Sequence, residues 1–543
     1  MLAAEGESML RHRIFPLLAF LCAFSIVATS QTQIPVRHPF RHNRPGPGQI
    51  FGNLNLASTP EVDQAAQEFK GGIYRVGPQV EATNTPYEAE EEIAVDPLNP
   101  RFVLAAISDF SLDRYGFIGT NQTKYAWSND GGSTWKQQFT PYDESTGDPL
   151  TSDGLAWSEM SDPVLAIDSI RHIAYLSDLF FSDFNGSNGY YISSSPVQNG
   201  SVDFTAAQTR PVAVNADPNA QTFEDKPWIA VDNTLESGTS GNLYAAWVHY
   251  LAPQYFPAGG EIHVVRSTDH GATFSSAVVV SPPTQVNNVQ GPQIAVDSGG
   301  RVVVSWLYCL NYVPIPGQFN DKCLQSQIWG AVSSDAGKTF SKPVQISPTN
   351  NDLDGSGFPS QYRKWSAPAM AVDPRTGAIA VLYADQIGAN SAIEYVHCPP
   401  AFSGPCSQPV QVNDVSYGQR VFPAIAIDNL GIVSMSWYDS RNDPSDPYSS
   451  QLDIYATYAW SIDSPLHPNA RVTPTTMDFS NAGPFPGFSF IGDYSGIAAS
   501  WGIAPNRHSL YCEHRYGGYL SGLGRAGWSC ARSRKCKAIS SQS

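Results

Sequence analysis

Ser128-Asn-Asp130-Gly-Gly132-Ser-Thr134-Trp135 returns twice in this chain, as Ser267-Thr-Asp269-His-Gly271-Ala-Thr273-Phe274 and as Ser333-Ser-Asp335-Ala-Gly337-Lys-Thr339-Phe340. The shared pattern is Ser-x-Asp-x-Gly-x-Thr-aromatic. Each copy lies between β-rich runs, as with Ile262–Arg266 before the second copy and Ala277–Val280 after it. Such a segment reads as a hairpin turn. The Asp carboxylate accepts turn amides, the Gly supplies a positive φ, and the aromatic packs beneath. A turn that repeats implies a unit that repeats.

The unit is larger than its turn. An apolar-Ala-apolar-Asp segment recurs at Ile93–Asp96, Leu165–Asp168, Ile229–Asp232, Ile294–Asp297, Met370–Asp373 and Ile425–Asp428. Five of the six follow a proline: Pro163, Pro227, Pro292, Pro368 and Pro423. After each comes a polar turn and then an apolar run with an aromatic tip, such as Leu243–His249, Val302–Trp306 and Ile432–Asp439. Asp493–Ala499 reads as a seventh start. Four short strands per unit, repeated six or seven times, predict an all-β fold: a β-propeller of four-stranded blades, seven favoured and six the alternative. Closing the ring also removes the sheet edges that so many strands would expose.

These residues resemble the Asp-box, or bacterial neuraminidase, repeats of the sialidase superfamily, over roughly Glu90 to Ala499. The resemblance implies the propeller fold and places the turn motifs away from the active face. Asp130, Asp269 and Asp335 are therefore read as turn formers. Their spacing lacks the alternating oxygen ligands of a calcium loop, and no metal or cofactor is expected.

Composition bounds the setting. A basic start at Arg11-His-Arg13, an apolar run from Ile14 to Val27 and the small residues Ala28-Thr-Ser30 read as a secretion signal over residues 1–30. Residues 31–85 form a Pro- and Gly-rich extension, in which Ile73–Val76 is a candidate closing strand. Residues 86–500 are the propeller, and 501–543 an atypical basic tail holding three of the eight cysteines. Residues 31–500 carry 46 acidic and 23 basic side chains, a net charge of −23, which argues against a nucleic-acid partner. The apolar run is short for a membrane span, and none is expected in the mature chain. The Cys309/Cys323 and Cys398/Cys406 pairs have hairpin-like spacings that predict local disulfides, hence a secreted or periplasmic protein.

Propeller sites draw one or two side chains from each of many blades, at the face where the inner strands begin. The sialidase resemblance implies a Tyr nucleophile rather than a carboxylate, arginine forks on the substrate carboxylate, and an Asp that protonates the leaving group. Tyr494, in Tyr494-Ser-Gly-Ile497, is placed as nucleophile and Glu224 as its partner. Asp109 or Asp113 is placed as the acid, and Arg363, Arg420 and Arg441 as the anion site. The family's first arginine falls where this chain has Glu91-Glu92. Two other readings stay open. One is a non-catalytic propeller binding glycan or protein. The other is a glycosidase for neutral polysaccharide, using Asp109 and Glu224 with Trp228 and Trp365 as sugar platforms.

Overall fold

Strand pairing follows the sequence repeat. In the computed structural model, six repeats each form an antiparallel meander with its strands hydrogen-bonded in sequence order. Their first strands are Glu88–Val95, Glu159–Asp168, Thr222–Val231, Val289–Val296, Ala369–Val372 and Arg420–Ile427. A seventh four-stranded sheet begins with Gly496–Trp501, continues with His508–Arg515, and is closed by Gly48–Phe51 and Gln79–Val80. The first strands touch one another in cyclic order, and Gly496–Trp501 lies between Arg420–Ile427 and Glu88–Val95. The fold is therefore the expected all-β propeller. Six blades are made of consecutive strands, and the last sheet joins the two ends of the chain.

The described residues are 48–51, 79–80 and 82–515, less 84–87, 113–119, 183–186, 217–221, 236, 252–258, 287–288, 314–321, 355–362, 444–449, 480–490 and 502–507. The expected signal at 1–30 and the candidate closing strand Ile73–Val76 lie outside them. The strand that pairs with His508–Arg515 is Gly48–Phe51 instead. His508–Arg515 itself comes from the segment read as a tail. Its His-Ser-Leu-Tyr-Cys-Glu-His-Arg sequence has no apolar run to announce a strand.

The repeat aspartates explain the turns between first and second strands. Each is almost fully buried and accepts amides of the turn after it. Asp96 Oδ1 takes Leu98 N at 2.9 Å, Asp168 Oδ1 takes Arg171 N at 2.9 Å, and Asp428 Oδ1 takes Ile432 N at 2.8 Å. The octapeptide turns join third to fourth strands in blades one, three and four, and share one bonding pattern. Asp130 accepts Ser128 Oγ at 2.8 Å, Thr134 N at 2.8 Å and Thr134 Oγ1 at 2.7 Å. Asp335 accepts Ser333 Oγ, Thr339 N and Thr339 Oγ1 at 2.8, 2.9 and 2.6 Å. Gly337 needs its φ of +74°, and a Cβ there would sit 3.3 Å from Tyr244 of the preceding blade. The turn thus packs one blade on its neighbour. Because a third strand ends at the same face as a first strand, these turns lie opposite the face where the inner strands begin.

The apolar core is divided among the contacts between blades. Leu104, Ala106 and Tyr125 of blade one pack with Leu165, Ile167 and Leu176 of blade two. Tyr244, Ala246 and Val248 pack with Ile294, Val304 and Trp306. Ile93, Val103 and Ala105 meet Ala498 of the last sheet, which closes the ring. Trp306 and Trp437 are wholly buried. Fully burying one such side chain contributes roughly 1.5–3 kcal/mol.

Both expected disulfides are present, Cys309–Cys323 and Cys398–Cys406. Among the described residues helix is confined to three short 3-10 segments, and no helix is long and apolar enough to cross a membrane.

Closure at the last sheet depends on close backbone approach. A Cβ on Gly496 would lie 2.8 Å from Glu92 Cα and from Ile93 N, both on the neighbouring inner strand. Gly496→Ala is expected to destabilise the protein by about 1–3 kcal/mol. Urea unfolding measures this, and an unchanged midpoint would mean the two strands are not held together.

Candidate active site at the mouth of the ring

The inner strands share an irregularity that aims side chains inward. Pairing with the second strand slips between Ala89 and Glu92, Ser161 and Val164, Asp225 and Trp228, Gln290 and Gln293, and Val421 and Ala424. At each slip the residue six before the repeat position takes a positive φ: Glu90 58°, Asp162 57°, Lys226 50°, Gly291 55° and Phe422 50°. Prolines 163, 227, 292 and 423 follow four of these and cannot donate to the ladder. Positive φ in a residue other than Gly costs on the order of 1 kcal/mol or more and gathers at functional sites.

Three of these residues come from adjacent blades and meet. Lys226 Nζ lies 3.2 Å from Asp162 Oδ2, 3.9 Å from Glu90 Oε1 and 4.0 Å from Asp225 Oδ1, and it donates to Asp493 Oδ2. Arg363 grips the same Asp493 with two nitrogens, its Nε donating to Oδ1 at 2.6 Å. Trp365 Nε1 donates to the Asp493 carbonyl at 2.8 Å. Trp365 also lies under the Lys226 ammonium, 6.0 Å from ring centroid to nitrogen. Tyr494 stands edge-on to Trp228, and its hydroxyl donates to Pro163 O at 2.9 Å.

Four carboxylates thus surround two cations in a nearly dry site, and they divide the charge between them. Glu90 is wholly buried. Its Oε2 accepts Ser108 Oγ at 3.0 Å and Ser161 Oγ at 3.1 Å, and its Oε1 accepts no hydrogen bond. Burial first, then the Asp162 charge, pushes its pKa well above the carboxylate range. Asp225 is pushed up to about 8, by burial and by Asp162 and Asp493, against the pull of Lys226. Asp493 goes the other way. Burial opposes its charge, but Arg363 and Lys226 hold it below the usual value. Burial also opposes the Lys226 charge, and Asp162 and Asp493 overcome it. Tyr494 is held neutral by burial first and by the Asp162 charge. Paired carboxyls driven apart in this way are how one site supplies acid and base at one pH.

The residues nominated from sequence divide among several places. Tyr494 and Arg363 are in this cluster. Glu224 is bonded to Trp247 Nε1 and, at 2.9 Å, to His249 Nδ1, where Tyr494 was expected. Arg420 is wholly buried. It donates to Asp439 Oδ2 at 3.1 Å and to the carbonyls of Ser391 and Gly418. Arg441 donates to the same Asp439 oxygen at 2.7 Å and to Asp414 at 2.6 Å. These two guanidiniums do converge on one carboxylate, but it is the protein's own. Asp109 pairs with Lys124 at 2.7 Å. Asp113 lies outside the described residues. Glu90 escaped the sequence reading because no proline follows it. Its signal was its place, six residues before Asp96, where Asp162 and Lys226 stand in the next two repeats.

No family model matches the chain, and no curated protein matches it in sequence. Solved structures of similar shape include the Hadza microbial sialidase Hz136, at 12% identity and a TM-score of 0.39 over 73% of each chain. The intramolecular trans-sialidase from Ruminococcus gnavus shares 13% identity at a TM-score of 0.35, over 80% of this chain and 91% of that one. The GH43 endo-arabinanase from Bacillus licheniformis shares 12% identity at 0.34, over 59% and 97%. These likenesses concern shape alone.

The Asp225 shift carries a pH signature. Its unfolded value is near 3.8 and its folded value about 8, so folding takes up a proton between them. The stability from its neutral form is complete below the lower value and is lost as pH rises through the upper one. The slope is about 1.4 kcal/mol per pH unit for one proton. Asp225→Asn removes this slope. Urea unfolding from pH 5 to 7.5 should show a shallower decline in the variant, and parallel wild-type and variant curves would contradict the assignment.

Proposed function

We propose that this chain is an exported propeller that acts on glycans at the mouth of its ring, as an exo-glycosidase. One observation carries the reading. Glu90, whose neutral form burial and Asp162 favour, and Asp493, which Arg363 and Lys226 hold charged, share the neighbourhood of a single ammonium, Lys226, beside the aromatic side chains of Tyr494, Trp228 and Trp365. A carboxylic acid kept neutral can donate its proton to a glycosidic oxygen. The flanking indoles offer flat apolar faces to sugar rings. The two disulfides fit export.

In the sialidase-like form of this reading, Tyr494 is the nucleophile and Asp162, whose charge bears on it, takes the place expected for Glu224. Arg363 binds the substrate carboxylate by exchanging it for Asp493. Its side chain is 29% exposed, whereas that of Arg420 is wholly buried and that of Arg441 nearly so. Arg420 and Arg441 then support the site through Asp439 rather than touching substrate. Asp109, on the second strand of blade one, is buried against Lys124.

A binding propeller without catalysis is the second reading. It is favoured by one fact: each of the three nominated guanidiniums is already bonded to an internal carboxylate.

Release of fluorophore from an aryl sialoside and from neutral aryl glycosides decides between them. We expect turnover of at least one substrate, and a fall of about 10²–10⁴-fold in Glu90→Gln, the range for loss of a general acid. If the sialoside is the substrate, Tyr494→Phe should lose turnover yet keep binding. Binding without turnover of any glycoside would establish the second reading.

A further inference from the structure

Off the ring axis, at the same face, a cleft of about 400 Å³ opens between blades four and five. Its walls are mostly amides. Asn311 comes from the second strand of blade four, Leu324 and Gln325 from the third, Asn351 from a short strand paired with the third, and Gln386 from blade five. We infer that this cleft is a binding subsite for a neutral oligosaccharide, separate from the Glu90 and Tyr494 site.

The amides are held in place and left incomplete. Gln386 Nε2 donates to the carbonyls of Gly388 at 2.8 Å and Asn390 at 2.9 Å, which fixes the side chain. Its Oε1 is buried and accepts no hydrogen bond, although the residue is only 6% exposed. A buried acceptor without a donor is costly, and a ligand hydroxyl supplies the donor. Asn311 Nδ2 donates to Gln325 Oε1 at 2.8 Å, which orients the remaining acceptor of Asn311 and the remaining donors of Gln325. Asn351 is anchored by its N–H on Asp385 at 2.9 Å and by its Nδ2 on Gln386 O at 3.1 Å. Leu324, 39% exposed, offers apolar surface to the C–H face of a sugar.

The charge of the cleft selects against anions. Among the described residues none that lines it is cationic, and the one ionisable group is Asp352, which accepts Ser326 Oγ at 2.7 Å and Ser366 N at 3.3 Å. Burial and Asp354 push Asp352 up to about 7, so it adds either a carboxylate or a neutral hydroxyl donor. A sugar hydroxyl can meet both forms, whereas a sugar carboxylate is repelled by the charged one. The segment also leads to the axis. Ser366 adjoins Trp365, which is bonded to Asp493. The inference rests on the glycan reading above for its ligand class, but not on catalysis.

Titration calorimetry with xylotetraose, arabinotetraose and galactotetraose, and with 3′-sialyllactose as the anionic control, tests it. At least one neutral tetrasaccharide should bind, with dissociation constants about tenfold higher in Gln386→Leu and in the double variant Asn311→Ala/Gln325→Ala. The double variant removes only surface amides, so it keeps the test usable if Gln386→Leu unfolds. Tyr494→Phe should bind as the wild type does. The inference is overturned if no neutral tetrasaccharide binds at millimolar concentration, if 3′-sialyllactose binds better, or if binding is lost in Tyr494→Phe and unchanged in both cleft variants. Failure of the hydrolysis assay alone would leave this binding intact, so the two readings fail separately.

Discussion

One ammonium group organises the centre of this molecule. Lys226 projects from a strained position on the third inner strand into carboxylates from the first, second and last sheets, while Arg363 from the approach to blade five holds the other side of Asp493. A buried charge is tolerated only with close partners, and removing one partner leaves the rest exposed to the full desolvation cost. The sheets at the ring centre are therefore tied by charge as well as by packing. Burial first, and the Asp162 charge second, favour the neutral form of Glu90. The chemistry proposed for the site and the closure of the ring draw on the same buried cluster.

The two faces of the propeller divide the work. At one face, the repeat aspartates and the octapeptide turns satisfy their own amides and pack blade on blade. These contacts are local and repeat with the sequence. At the other face the inner strands bulge at one shared position, and the side chains set there differ from blade to blade. Glu90, Asp162, Lys226 and Phe422 take positive φ at these inner-strand starts, where strain is tolerated when the surroundings fix it.

The fold was legible because a propeller writes itself several times. Six aspartates, five prolines and three octapeptides gave the strand unit, and the two cysteine pairs gave the disulfides. The ends of the ring were not legible. Gly48–Phe51 and His508–Arg515 meet across the whole chain, and neither carries the apolar alternation that local pattern detects. The site was legible in part. Tyr494 and Arg363 meet in one cluster because each stands near an inner-strand start. The partners of the arginines were not legible. Arg420 and Asp439 face each other across a strand pair, and Arg441 folds back on Asp439 two residues before it. Residue type says that a guanidinium will find a carboxylate, but only the fold says whose. Glu224 shows the same limit, since its partner His249 is its cross-strand neighbour.

The claim on which the account turns is that Glu90 holds its proton at neutral pH. Infrared difference spectroscopy of the wild type against Glu90→Gln measures this directly. The account predicts a protonated-carboxyl band in the wild type at neutral pH that is missing from the variant. A carboxylate band for Glu90 throughout the neutral range would contradict it, leaving Glu90 with no proton to donate.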